Sequence, residues 1–240
     1  MKTEDKTNLV ATILAYSLLL ISVGNSADLL PETADWTETP IGGGSFSYTA
    51  ELSGDLIELT SSGRGVGGTE DQLYYLNCTV PFGGEIKTRI SALTPAQENA
   101  IAGVSIRLSQ APDAPAVFLG QDGTGTTVLI GRSESGGTAT EMSIDNVPAG
   151  SVYSLVLGDG VVYALYSENS SHWNLIGGIP FPQASQAQGG VVVGSGESGG
   201  TSNATFDYLI CSESVFSMEE AFDAEAGQRV FGFSAAASGI

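Results

Sequence analysis

Short runs in which apolar and polar residues alternate constrain the fold of this chain more than any other feature. Apolar side chains take every second position in residues 46–52, 86–90 and 104–108. A repeat of two residues is the spacing of a β-strand with one buried face. About a dozen runs of β-forming residues follow one another between Trp36 and Cys211, separated by clusters of Gly, Asn, Asp and Ser. We therefore expect an all-β domain of two packed antiparallel sheets, a sandwich or jelly roll.

The pattern changes after Cys211. Ser217 followed by Glu220 fits a helix capping box, and Gly227 supplies a stop signal, so a short helix is expected there. Residues 230–240 are apolar or small and carry no charge, which is unusual for a terminus in water. We expect this tail to dock on its own domain or on a neighbouring copy. The predicted division is a leader over residues 1–26, a β-sandwich over 27–211 and a C-terminal extension over 212–240.

The N-terminus has the form of a secretory signal. Residues 9–23 are apolar, but the run is shorter than the roughly 20 residues of a membrane-spanning helix, and small residues follow it. Cleavage is expected after Ser26, and an uncleaved anchor is the alternative. The rest of the chain is then secreted or held at the cell surface, with no other membrane contact.

Export makes two further features relevant. Three Asn-x-Ser/Thr sequons accept glycans in a host that glycosylates, and they begin at Asn77, Asn169 and Asn203. Cys78 and Cys211 form an even pair, for which one disulfide is expected outside the cell. Alternation opposes this pairing, because counting from Phe206 places Cys211 on the face away from the core. Two buried thiols are the alternative.

The charge balance excludes several partners. Eight Lys and Arg against 27 Asp and Glu give a net charge of −19, whereas nucleic acids and anionic lipids require a basic surface. One His and two Cys do not support zinc sites of His and Cys, haem or iron–sulfur clusters. Carboxylates in the loops leave Ca²⁺ as a candidate cofactor, although none has the ligand spacing of an EF-hand loop. The loops in question lie around Asp113, Asp122, Asp145 and Asp159.

Six segments between Trp36 and Cys211 resemble a known superfamily. They are residues 36–48, 71–76, 84–93, 102–108, 164–173 and 204–208. Their order and spacing are similar to the secreted bacterial concanavalin A-like lectin/glucanase modules of the DUF1349 type, which are LamG-like. The resemblance implies a concanavalin A-like jelly roll. It does not imply one function, because lectins, binding modules, glycosidases and structural modules share this fold.

Catalytic motifs are not evident in the sequence. A glycosidase of this superfamily is expected to carry two carboxylates alternating along one strand, and the nearest approach, Glu141 to Asp145, lacks a second Glu and ends in a turn. Two glycine patterns that begin at Gly63 and Gly194 fit the dinucleotide fingerprint, but neither opens a helix. His172 lies in a polar turn, where it cannot support a serine triad. No catalytic residue is therefore predicted, and the chain is expected not to be an enzyme.

A binding site for sugars is predicted instead. If the apolar residues of segments 86–90 and 104–108 point inward, then Lys87, Arg89 and Arg107 point outward on consecutive strands. Tyr75 falls on the outward set of the preceding strand. An aromatic ring beside cationic donors suits stacking on a sugar and hydrogen bonding to its hydroxyls. The alternative is that the arginines pair with surface carboxylates.

These observations predict a secreted, non-catalytic carbohydrate-binding or adhesion module with Tyr75, Arg89 and Arg107 at its site. A second hypothesis is a structural subunit of a filament or surface layer that forms homo-oligomers through residues 230–240. A third is a glycoside hydrolase or lyase, which a pair of carboxylates in a cleft would favour.

Overall fold

The computed structural model describes residues 36–43, 47–53, 56–197, 199–212, 216–223 and 228–235. The predicted signal segment lies outside these residues, and so do residues 236–240. Within the described ranges no helix is long and apolar enough to cross a membrane.

Regular structure in the described part of the chain consists of sixteen strands. Their bounds, in chain order, are β1 (Thr37–Ile41), β2 (Tyr48–Ser53), β3 (Leu56–Ser61), β4 (Leu73–Pro81), β5 (Glu85–Thr94), β6 (Ile101–Arg107), β7 (Ala116–Asp122), β8 (Thr127–Arg132), β9 (Thr140–Ile144), β10 (Val152–Leu157), β11 (Val161–Ser167), β12 (Asn174–Pro180), β13 (Gln186–Gly194), β14 (Ser202–Ser212), β15 (Phe216–Asp223) and β16 (Gln228–Ala235).

Fourteen of these strands form two antiparallel sheets of seven strands each. Sheet A has the order β1-β4-β13-β6-β7-β8-β9, and sheet B has the order β12-β11-β10-β5-β14-β3-β2. Consecutive strands β5 and β6 belong to different sheets, so the chain crosses the sandwich between them. The prediction of an all-β sandwich of the jelly-roll type is confirmed.

The main core lies between the two sheets and is built from the alternating residues that the sequence shows. Ile86 and Ile90 of β5 face Val104 and Ile106 of β6 in this core, and all four are buried. The central strands of sheet A are buried on both faces, because a second cluster that includes Phe118, Val128 and Ile130 covers its outer surface. Sheet A is thus packed on both sides, and its outer layer forms the candidate site.

A segment that we call the strap, residues 63–72, crosses the outer face of sheet A. Gly65 and Gln72 exchange backbone hydrogen bonds of 2.6 and 2.9 Å, which closes the strap into a loop. The strap is fixed to the sheet because Ala139 donates its backbone N–H to the Gly68 carbonyl at 2.7 Å. The strap approaches β13 closely at Gly194, where an added Cβ atom would lie 2.3 Å from the Cα of Gly65. Glycine at both positions allows the strap to lie directly on the strand.

A β-bulge in β14 changes which of its residues face the core. Ile90 pairs with Phe206 and Arg89 pairs with Tyr208, so Asp207 is the extra residue. Before the bulge Phe206 faces the core, and after it Leu209 and Cys211 do. The simple alternation that placed Cys211 on the outer face is therefore wrong, because one inserted residue exchanges the two faces of the strand.

The short helix predicted over residues 217–222 is also wrong. That segment is strand β15, which pairs antiparallel with β16 from Phe216 opposite Ala235 to Asp223 opposite Gln228. The capping signal is local, whereas the β-forming residues of 230–233 supply a partner strand whose hydrogen bonds replace those of a helix. Most of the described tail is therefore paired within the chain.

Candidate functional site

A cleft of about 680 Å³ opens on the outer face of sheet A, beside the strap. Its floor is apolar and consists of Ile101, Val128 and Ile130, which belong to the central strands β6 and β8. Residues 64–70 of the strap form one wall. Because the outer cluster already buries much of this face, the floor is fixed by packing and does not depend on a ligand.

Four carboxylates line this cleft, and we call them the acidic rim: Glu70, Glu98, Asp122 and Glu141. Arg64 is the one basic side chain among the residues that line it. Four carboxylates and one guanidinium give these side chains a formal net charge of −3. The cleft therefore attracts cations and neutral polar molecules and repels polyanions.

Each acid of the rim comes from a different part of the chain. Asp122 ends β7 and lies opposite Ile101 of β6, at one end of the floor. Glu141 of β9 lies opposite Ile130, which puts its side chain on the same face as the floor residues. Glu98 belongs to the β5–β6 connection, and its carbonyl accepts the N–H of Gly123 at 2.9 Å. Glu70 belongs to the strap.

The orientation of the Asp122 carboxylate is fixed by the turn that follows β7. Its Oδ1 atom accepts hydrogen bonds from the N–H of Thr124 at 2.8 Å, from the hydroxyl of Thr124 at 2.6 Å and from the N–H of Thr126 at 2.9 Å. These three bonds all use the same oxygen. Oδ2 is the atom available for contact with a bound molecule.

Under the strap lies a buried cluster of three charged side chains, Asp71, Arg107 and Arg132. The guanidinium of Arg132 donates to Asp71 Oδ2 at 2.5 Å, and Arg107 donates to the same oxygen. Asp71 itself belongs to the strap, where its Oδ1 atom accepts the N–H of Gly67 at 3.2 Å, so its bonds to the two arginines tie the strap to sheet A. All three side chains are inaccessible to solvent. The cluster therefore supports the wall of the cleft and cannot touch a ligand in this structure.

A second cleft, of about 600 Å³, adjoins the first at the β7–β8 turn. Asp122 and Thr124 line both clefts, so the two clefts meet at the β7–β8 turn. The far side carries Arg89 and Asp207, whose side chains form a bidentate ion pair of 2.8 and 3.1 Å.

The structure does not bring together the residues of the predicted sugar site. Tyr75 and Arg107 lie on sheet A, whereas Lys87 and Arg89 lie on sheet B, because β5 and β6 are in different sheets. Tyr75 is fully buried, and its hydroxyl donates to the carbonyls of Gln188 at 2.7 Å and Ser105 at 3.0 Å. The prediction that these cations share one sheet face is therefore wrong. Of the predicted site residues Tyr75, Arg89 and Arg107, Arg89 alone lines a cleft.

Lys87 is engaged on the outer face of sheet B. Its ammonium lies 2.5 Å from a carboxylate oxygen of Glu85 and 4.9 Å from the centre of the Trp173 ring. The alternative in which cations pair with carboxylates therefore describes Lys87, Arg89 and Arg107. His172 lies in the turn before Trp173, where its N–H donates to Asn169 Oδ1 at 3.0 Å.

Two of the three sequons are on strands. Asn77 of β4 is buried and donates its side-chain N–H to Thr37 and Thr39, and Asn203 of β14 donates to Thr60. Asn169 is exposed in the turn after β11. In the described ranges there is also no group of three or more His, Cys, Asp or Glu side chains placed to hold a metal ion.

Solved structures match this chain at low sequence identity. A functionally unknown protein from Saccharomyces cerevisiae is 14% identical with a TM-score of 0.57, and the match covers 75% of this chain and 95% of that protein. A β-1,3-1,4-glucanase (lichenase) from a mouse hindgut metagenome is 12% identical with a TM-score of 0.50, covering 77% and 95%. An alginate lyase from Corynebacterium sp. is 12% identical with a TM-score of 0.47, covering 74% and 93%. The shared fold is the concanavalin A-like jelly roll.

No known family and no curated protein matches the sequence.

These comparisons overturn the prediction of a non-catalytic binding module and the prediction that the chain is not an enzyme. Among the structures that match with a TM-score of 0.50 or more is an enzyme, the β-1,3-1,4-glucanase. They do not favour the structural-subunit hypothesis either. Alternation along one strand could not predict the acidic rim. Glu70 and Glu98 lie in loops at unrelated positions, and only the fold brings them to the cleft that Asp122 and Glu141 also line.

Proposed function

We propose that this protein is a glycoside hydrolase that cleaves a neutral polysaccharide in the cleft on the outer face of sheet A. The observation that carries the proposal is the acidic rim around an apolar floor. Hydrolysis of a glycosidic bond uses two carboxyl groups, one to protonate the leaving oxygen and one to activate water or attack the sugar. Polar groups at the rim can bind the hydroxyls of a sugar chain.

Asp122 is the proposed base. Its Oδ1 atom is held by three hydrogen bonds, so the direction of the remaining oxygen is set before substrate binds. Preorganised groups of this kind lower the reorganisation needed in the transition state. The position of Asp122 at the junction of the two clefts places it in the middle of a bound chain.

Glu141 is the proposed acid. Glu141 lies two strands away from Asp122, because β8 separates β7 from β9. It pairs with Ile130 of β8, which is four residues along that strand from the position opposite Asp122. Strand spacing and rise give a separation of roughly 16 Å between their Cα atoms. This separation is too wide for the roughly 5 Å between the carboxyl groups of a retaining enzyme, and it reaches the roughly 6.5–9.5 Å of an inverting enzyme only when both side chains lean towards each other.

The charge of the cleft favours a hydrolase over a lyase. A lyase that acts on uronate polymers removes a proton next to a carboxylate, so its site must neutralise that carboxylate with positive groups. Arg64 is the one cation among the residues that line the cleft, whereas Arg107 and Arg132 are buried and bound to Asp71. A negative cleft repels a polyuronate chain, so a neutral polymer is the proposed substrate.

The place of action belongs to the same proposal. The protein acts outside the cell after export, as the N-terminal segment predicts, where polysaccharides are found. The narrower resemblance to DUF1349-type modules would place it among secreted proteins of that kind.

The test is release of reducing sugar from neutral glucans, xylan and alginate, each incubated with the full chain. We expect activity on a neutral polymer with inversion at the anomeric carbon. Asp122→Asn and Glu141→Gln should each lower kcat by about 10²–10⁴-fold. Glu168→Gln is the matched control, because Glu168 is an exposed carboxylate outside both clefts, and it should leave kcat unchanged.

Three results would contradict the proposal. They are no hydrolysis of any neutral polymer, cleft variants as active as the Glu168→Gln control, and depolymerisation of alginate with an ultraviolet-absorbing unsaturated product. The last result would show that the protein is a lyase.

A further inference from the structure

The two cysteines lie in different sheets and face each other across the core. Cys78 belongs to β4 of sheet A and is buried in the main core, and Cys211 of β14 in sheet B packs against the same core. The Cys211 sulfur lies 3.7 Å from the carbonyl oxygen of Thr79, the residue next to Cys78. Cys211 lies close enough to the Cys78 thiol to raise the pKa of that thiol. Both are thiols in the structure.

The bulge at Asp207 creates this juxtaposition. In a regular strand, only residues an even number of positions from Phe206 share its inward face. Cys211 is five positions after Phe206, so without the extra residue its side chain would point away from the core. The bulge moves Cys211 to the inner face, where the side chain meets Cys78.

We propose that Cys78 and Cys211 form a disulfide that joins sheet A to sheet B. The two positions are well over a hundred residues apart, so the bond would close a long loop and remove much of the freedom of the unfolded chain. It would not change the cleft on the outer face of sheet A, because the cysteines lie between the sheets. The inference is therefore independent of the proposed function.

A disulfide oxidant such as oxidised glutathione supplies the chemistry. The partly exposed Cys211 loses its proton and attacks the oxidant, which releases one reduced glutathione and leaves a mixed disulfide on Cys211. Cys78 then loses its proton and attacks the Cys211 sulfur, which releases the second glutathione. Two thiols are thus oxidised and one oxidant disulfide is reduced.

The order of these steps follows from the environment of Cys78. The proximity of Cys211, together with burial, raises the pKa of the Cys78 thiol, so Cys78 is a poor nucleophile towards an oxidant in solution. Once Cys211 carries the mixed disulfide, the reaction of Cys78 is intramolecular and requires no exposure.

The experiment uses the full chain, purified in reductant and then treated with oxidised glutathione. We expect two alkylatable thiols in the unfolded reduced protein and none in the unfolded oxidised protein. Peptide mass spectrometry should find the peptides of Cys78 and Cys211 joined in the monomer. Oxidation should raise Tm by about 10 °C, and dithiothreitol should reverse the rise.

The variant Cys211→Ala is the matched control. Its altered side chain is the less buried of the two, so it is expected to fold, and glutathione should then leave its Tm unchanged. The proposal is overturned if the oxidised protein keeps two alkylatable thiols, if it forms only dimers between chains or stable mixed disulfides, or if its Tm rises equally in Cys211→Ala.

Discussion

Asp71 and Arg107 form an ion pair in which neither side chain is accessible to solvent. Arg132 binds the same carboxylate, so two guanidinium groups share one acid in the interior. Arg107 also donates to the Ala111 carbonyl at 2.8 Å, but its Nε–H has no partner within the described part of the protein. A buried group with excess positive charge is costly, so the single carboxylate that offsets it is expected to be essential.

Replacing Asp71 tests this arrangement. Asp71→Asn leaves two buried cations without their acid, and we expect it to lower the free energy of unfolding by about 3–5 kcal/mol. Chemical denaturation followed by tryptophan fluorescence measures the change. Asp159→Asn is the control, since Asp159 lies at an exposed turn, and it should change stability by less than about 0.5 kcal/mol. A loss no larger than that of the control would show that the cluster does not stabilise the fold.

The close approach of two strands beneath the strap predicts that a side chain at Gly120 destabilises the fold. A Cβ atom there would lie 2.1 Å from the Ala102 carbonyl oxygen and 2.6 Å from the Cα of Gly103, both in the neighbouring strand. Gly120→Ala is therefore expected to lower stability by about 1–3 kcal/mol. Gly177→Ala, on β12, is the matched control because a Cβ atom there meets nothing within 4 Å. Equal unfolding midpoints for the two variants would contradict the prediction.

Buried tyrosines predict how stability depends on pH. Burial raises the pKa of Tyr74, Tyr75 and Tyr153, so these hydroxyls stay protonated in the folded protein after they ionise in the unfolded chain. Their contribution is complete below about pH 10, the ordinary pKa of tyrosine, and is lost as pH rises above it. Each can lower the free energy of unfolding by up to about 1.4 kcal/mol per pH unit there.

Unfolding in urea at pH 8, 10 and 11 measures this slope, and absorbance near the tyrosinate band reports ionisation. We expect the late-ionising tyrosines to titrate together with unfolding. Tyr153→Phe removes one of these hydroxyls and should make the slope shallower. A stability that stays constant from pH 8 to 11 would rule out the proposed cause.

The sequons predict selective glycosylation in a eukaryotic host. Asn169 is exposed, whereas the Asn77 side chain is buried and bonded to Thr37 at 2.9 Å and Thr39 at 3.0 Å. A glycan at Asn77 would displace β1 from β4, so folded protein recovered from the medium should carry glycan at Asn169 and none at Asn77. Peptide mass spectrometry measures the occupancy, and Asn169→Gln is the control that should abolish the signal from that peptide. Folded monomer with a glycan on Asn77 would disprove the buried placement.

Much of the architecture could be predicted from local pattern. Alternation in segments 86–90 and 104–108 correctly places Ile86 and Val104 in the core. In a strand, successive side chains point to opposite faces, so every second residue faces the core. The same pattern could not predict the bulge at Asp207, which depends on how β14 pairs with β5. It also could not predict that residues 217–222 form a strand, since the partner β16 determines that outcome.

The candidate site depended on tertiary structure almost entirely. The sequence by itself determined that the chain is acidic, is built from strands and has two layers, since these follow from composition and from the two-residue repeat. Only the tertiary structure decided that Arg89 and Arg107 lie on opposite sides of the sandwich and that Asp122 and Glu141 line one cleft. The physical reason is that alternation fixes which face of a strand is buried, whereas the sheet that a strand joins depends on hydrogen bonds to residues far away in the chain.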